Sequence, residues 1–304
     1  MRSTLALPLF LVACAGTSDV PTIELAHLER DGAAGLEPLR RVFQRANPGY
    51  DVEWHAPLDR LRRSDRARVA FVQRGTGTAT VDERTSDVTV GDVVVVRPDQ
   101  TYRLDAGAVD AVVFEVPAGV PEGVPAFVRP DFDPAITDTP GGCAEEDDAY
   151  RRILLTWLGK NGPYLWHDIN CHRVRINDSF SHYHPRDRGF DEFYLVQIAP
   201  PGARLIVSER VDAIESPESL RESDAASLLT ELPLRQGDLV YLPRGTMHRG
   251  VGGAVVQVIT VPGFVPNAEI GVDHHLRLIN ERLRLEGDDA LPYHAAAADA
   301  PVVK

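Results

Sequence analysis

The stretch "GDLVYLPRGTMH" (residues 237–248) reads as a glycine–aspartate turn, four residues of strand, and a second turn that ends on a histidine. A second stretch, "GDVVVVRPDQTY" (91–102), aligns with it without a gap and carries Tyr102 where the other carries His248. Upstream, "FVQRGTGTATV" holds in the earlier copy the place of "LVQIAPPGARLIV" in the later one. Repetition of a strand pair together with its turn implies two equivalent β units. The chain is therefore expected to be all-β, two barrels with a few short helices.

Within the second unit, "SHYHPRDRGFDEF" (181–193) sets His182 and His184 one residue apart. On an extended strand, alternation sends both imidazoles to one face. Asp187, Asp191 and Glu192 follow as candidate carboxylates. Glu192 is favoured because it opens the apolar run "FYLVQ" and shares a face with Tyr194 and Val196; Asp187 and Asp191 stay open as alternatives. His248 arrives from a separate strand about sixty residues later. Three imidazoles and a carboxylate suit a divalent transition metal such as Fe, Mn, Ni, Cu or Zn.

These two stretches resemble the motifs of the cupin superfamily. "GDLVYLPRGTMH" matches the second motif, a Gly-Asp strand ending in Pro-x-Gly-x-x-His, and His182-x-His184 with Glu192 matches the first. The resemblance covers residues 164–262 well and 51–116 in degenerate form. It implies two double-stranded β-helix (jelly-roll) barrels, as in bicupins, with a metal held by His182, His184, Glu192 and His248 in the second. One departure stands out: Glu192 lies eight residues after His184, where the motif has four or five. The three extra residues predict a longer rim loop carrying Arg186 and Arg188. Counting back from Gln73, Leu58 and Arg60 fall where the paired histidines would be in the first unit. That unit is expected to hold no metal and to serve packing or homodimer formation.

"MRSTLALPLFLVACAG" opens the chain with one arginine, an apolar run and a small residue before Cys14. It resembles a bacterial lipoprotein signal, which implies export, lipidation at Cys14 and removal of residues 1–13. The membrane is then met only through that lipid, in the periplasm or cell envelope. Cys143 and Cys171 are allowed to pair in an oxidising compartment. Residues 14–50 read as a tether with a helix over 36–49, and 51–117 as the first barrel. Residues 118–163 read as a Pro/Gly-rich connector with a helix at 144–159. The metal-binding barrel follows over 164–265, with a helical insertion at 216–232, and 266–304 as a closing helix and a loose tail.

A net charge of −13 with no basic patch argues against a nucleic-acid partner. Only Lys160 and Lys304 are lysines, a skew that fits a GC-rich genome. No nucleophile elbow, P-loop or dinucleotide fingerprint competes with the metal reading. The expected partner is a small molecule. The leading function is a metal-dependent enzyme, dioxygenase-like or isomerase/lyase-like, with Glu192 also available as a base. The alternative is a non-catalytic envelope protein that binds a metal or small ligand. His167, His172, Tyr194, Tyr241, Arg173, Arg175 and Met247 are weaker pocket candidates. His55, His274 and His275 need no functional reading, and Tyr183 should face away from the metal.

Overall fold

A computed structural model describes residues 22–117, 119–141 and 150–304. Strand β1 (Glu24–His27) leads into helix α1 (Leu28–Ala46). The first barrel is built from β2 (Asp51–His55), β3 (Arg60–Leu61), β4 (Ala67–Val81), β5 (Arg84–Thr89), β6 (Val93–Val96), β7 (Tyr102–Val116) and β8 (Phe127–Val128). The second contains β9 (Arg151–Leu155), β10 (Asn170–Asp178), β11 (His182–Tyr183), β12 (Asp191–Ile198), β13 (Arg204–Ser208), β14 (Thr230–Pro233), β15 (Asp238–Leu242), β16 (Met247–Val261) and β17 (Ile270–Gly271). Short helices α2 (Val211–Glu215) and α3 (Glu222–Ala225) interrupt it, and α4 (Asp273–Leu283) closes it. All the strand ladders are antiparallel, and the architecture is the pair of jelly rolls that the repeat implies.

Period-two alternation distributes the core. Phe193, Leu195 and Tyr241 face the first barrel and join Phe71, Phe114 and Phe43 in one shared inter-barrel core. Tyr194, Val196, Val240 and Val258 face inward and fill the second barrel. Val72, Val94, Val113 and Tyr102 do the same in the first. Buried amides tie the barrels together: Gln73 Nε2 donates to Val196 O and Gln257 Nε2 to Gly91 O, each at 2.8 Å.

The ladders confirm the repeat residue by residue. In the second barrel His182 pairs with His248, and Glu192 lies between Leu242 and Thr260. In the first, Leu61 pairs with Tyr102, and Arg68 lies between Val96 and Glu115. The first-barrel counterparts of the paired histidines are thus Leu61 and Arg63, and Leu58 and Arg60 are displaced from that role. Counting back from Gln73 failed because the second barrel's loop is three residues longer, the same insertion that stretches His184 to Glu192.

Four other expectations are corrected. Residues 22–34, read as tether, form β1 and the start of α1, because β1 pairs with β15 from Glu24–Tyr241 to His27–Asp238. In place of the helix expected at 144–159, "RRILL" is strand β9 on the edge of β10; residues 142–149 lie outside those described. A short apolar run fits either state, and the neighbouring strand decides. The insertion at 216–232 keeps only one turn of helix, α3, and a 3-10 turn before β14 pairs with β13. The tail is tied down: Gly271 N–H donates to Val302 O at 2.8 Å, and Glu269 and Lys304 exchange two backbone hydrogen bonds at 3.0 Å.

Candidate metal centre

The ligand atoms of His182, His184, Glu192 and His248 all lie within 4.8 Å of one another, and all four residues are buried. Three separate strand segments deliver them. Strand β11 and the residue after it carry the histidine pair, β12 opens on Glu192's side of the barrel, and β16 brings His248 directly opposite His182.

Each imidazole is oriented from behind. Nδ1 of His182 donates to Phe180 O at 3.2 Å, that of His184 to Phe190 O at 3.1 Å, and that of His248 to Thr246 O at 3.3 Å. A carbonyl accepts only from N–H, so this contact fixes the proton on Nδ1 and leaves the Nε2 lone pair toward the centre. His184 Nε2, His248 Nε2 and Glu192 Oε2 have no hydrogen-bond partner; the last two approach to 2.9 Å without hydrogen-bond geometry. Unpartnered buried acceptors are costly, and a cation at their common focus would satisfy them. Burial holds the His182 and His248 imidazoles down at about 4 and His184 well below its usual range. Burial pushes Glu192 up to about 7. At neutral pH the three rings are therefore neutral ligands, and the carboxylate's charge is the one that a cation would stabilise. The donor set fits a divalent transition metal.

The three carboxylates now separate. Asp187 is exposed on the rim loop. Asp191 points to the inter-barrel side, where it accepts from Asn47 Nδ2 at 2.5 Å, Tyr241 OH at 2.7 Å, Arg244 Nε at 2.8 Å and Arg244 N at 2.9 Å. Only Glu192 faces the imidazoles.

A cavity of about 400 Å³ opens above the centre, with His182, Glu192 and Tyr194 in its wall. Of the weaker candidates, His172 also lines it. Tyr241 is engaged by Asp191, Arg173 binds Gln197 and Asp131, Arg175 reaches Gly253 O, and Met247 packs under α4. Tyr183 turns outward to Glu215, and His167 is exposed. Arg151, Trp157, Phe264, Glu269 and Lys304 line the cavity unannounced by any motif. Four of them lie in segments that read as connector, helix or tail, so nothing local marked them. Cys171 is buried beside the cavity; Cys14 and Cys143 lie outside the described residues.

No family model matches the chain. Mannose-6-phosphate isomerase of Streptococcus mutans is 34% identical over 80 residues, 25% of this chain and 24% of that protein. The match thus spans about a quarter of the curated relative's length. Among solved structures, oxalate decarboxylase of Bacillus subtilis is 14% identical with a TM-score of 0.47, over 84% of this chain and 80% of that one. Vicilin of hazelnut, Corylus avellana, is 10% identical with a TM-score of 0.45, over 70% and 76%. At these values no role passes from either protein to this one. Ladder register and donor geometry carry the assignment. The architecture is a pair of jelly-roll barrels, of which the second holds the four-residue donor cluster.

Proposed function

We propose that the second barrel is a metal-dependent catalytic centre for a small oxygen-bearing molecule, with His182, His184, Glu192 and His248 as the metal's ligands. The convergence of four buried donor atoms at the foot of a cavity large enough for a small substrate supports this most directly. A bound divalent metal would supply Lewis-acid polarisation of a substrate oxygen, or a site for oxidative chemistry at its open positions. The chain's part is to hold three imidazoles in one tautomer, keep water from the barrel floor with Tyr194 and Val258, and offer Glu192 as a base where it lets go of the metal. Oxidative cleavage is the reaction we place first, ahead of isomerase or lyase chemistry.

Export and tethering through Cys14 belong to the same reading and are supported by residues 1–14 of the sequence. Oxygen uptake and product formation, measured on iron-loaded protein with a phenolic panel, test the catalytic reading. Turnover that His248→Ala lowers at least a hundredfold is expected. Absence of turnover with every metal and substrate class would leave a binding protein instead.

A further inference from the structure

The chain holds 32 basic residues, of which only Lys160 and Lys304 are lysines, and both line the cavity over the metal centre. A drift of composition toward arginine does not explain why the two exceptions meet in one pocket.

Lys304 is brought there by the tail. Its backbone pairs with Glu269, one residue before β17, and β17 pairs with β11, the strand of His182. The Lys304 Nζ stands 4.9 Å from the centre of the Phe180 ring, and that ring stacks on His182 at 4.4 Å and 18°. The ammonium is thus one ring away from a metal donor. Lys160 stands exposed at the rim, on the loop that follows β9. Arg151 adds a third cation, against two lining carboxylates among the described residues, Glu192 and Glu269. Glu192 belongs to the donor set, so the cavity is locally cationic in a protein of net charge −13. Part of the remaining wall is apolar: Trp157 and Phe264 stack at 3.8 Å, and Leu155 and Val258 also line the cavity, alongside polar residues such as Asn161 and Thr260.

We infer that this cavity takes a small organic carboxylate with an apolar body. The carboxylate is held by Lys304 and Lys160, the body lies along Trp157 and Phe264, and the far end reaches toward His182 and Glu192. Lysine suits such a role as a compact charge whose ammonium can follow the ligand. This rests on the second barrel being a ligand-binding metal centre, but the lysines are outside the donor set, so the two ideas fail separately.

The test is titration of the zinc-loaded full chain with benzoate and with its neutral isostere benzamide, followed by calorimetry. Benzoate is expected to bind at least tenfold tighter. K160A/K304A should erase that preference with metal content unchanged, and K160R/K304R should retain it. Equal affinity for the two probes, binding of neither, or a preference that survives K160A/K304A would overturn the inference. Metal content measured on the same samples reports independently on the ligand assignment.

Discussion

The two barrels share one ladder pattern and solve the same problem of a polar barrel floor in opposite ways. In the second, His184, Glu192 and His248 leave acceptor atoms without partners, which a cation from outside would complete. In the first, the matching positions are Arg63, Arg68 and Tyr102. Arg68 supplies the cation from within: it is buried, lies opposite Glu115, feels the charges of Glu115 and Glu53, and donates to Gln100 O at 3.2 Å. Glu53 is itself held below the usual carboxylate range, first by its hydrogen bond to His55. One floor thus carries its own guanidinium, with Arg68 Nε and Tyr102 OH left without hydrogen-bond partners, whereas the other turns acceptor atoms toward a common focus that a cation could fill. The rim loop follows the same division, three residues longer where the histidines are.

That contrast can be broken at several points. The largest effect is expected at Asp191, for which the first barrel has Ala67 at the equivalent ladder position. Asp191→Ala would strand Arg244, Tyr241 and Asn47, costing about 3–5 kcal/mol in urea unfolding. Next, Arg68→Met should cost about 2 kcal/mol by removing a buried guanidinium that donates to Gln100 O and attracts Glu115, while Glu192→Gln in metal-free protein should not lower stability at neutral pH. Equal costs at the two sites would erase the distinction between a structural and a functional floor.

Acid should act on the second floor with a definite sign. His182 and His248 have folded values near 4 against 6.5 unfolded, so the unfolded chain binds protons first and stability falls as pH drops from 6.5 to 4. Glu192, raised to about 7 from 4.5, opposes this, since its contribution is full below 4.5 and lost as pH rises through 7. His184 is shifted the same way, so three histidines act against one glutamate and metal-free protein should lose at least about 2–3 kcal/mol between pH 6.5 and 4. Thermal melts of the His182→Gln, His248→Gln double variant should show a shallower slope, the remainder belonging to His184.

The smallest effects concern the turn before each last position. Gly245 has φ +87°, and the equivalent residue in the first barrel is Asp99 at φ +63°. Gly245→Ala should cost about 1–2 kcal/mol, since an L side chain there is strained and its Cβ would meet Arg186. Asp99→Gly should be neutral within about 0.5 kcal/mol, relief of strain offsetting chain entropy. Chemical denaturation resolves both.

The donor cluster is legible in the sequence because its residues sit in two short stretches with fixed alternation, and because the first barrel's copy shows the same turn without a histidine. Strand parity also separates the two acids: Glu192 lies with the imidazoles, and one residue's difference sends Asp191 to the inter-barrel face. What was not legible depends on long-range pairing. Residues 24–27 and 151–155 are strands only because β15 and β10 offer them an edge. Lys304 enters the cavity only because the tail pairs with Glu269. Neither Trp157 nor Phe264 carries any local signature of a pocket wall. The cavity's chemistry, unlike its metal donors, is assembled from the segments that read as connectors.

Metal content per chain, measured by mass spectrometry on purified protein with and without substitutions in each barrel, tests the account most directly. It predicts close to one divalent transition-metal ion per chain in the wild type. Leu61→Ala, Arg63→Ala and Tyr102→Phe in the first barrel should leave that ion in place, and His182→Ala or His248→Ala should remove it. Retention of the ion in the His182→Ala, His248→Ala double variant would contradict the assignment of the second barrel as the metal centre.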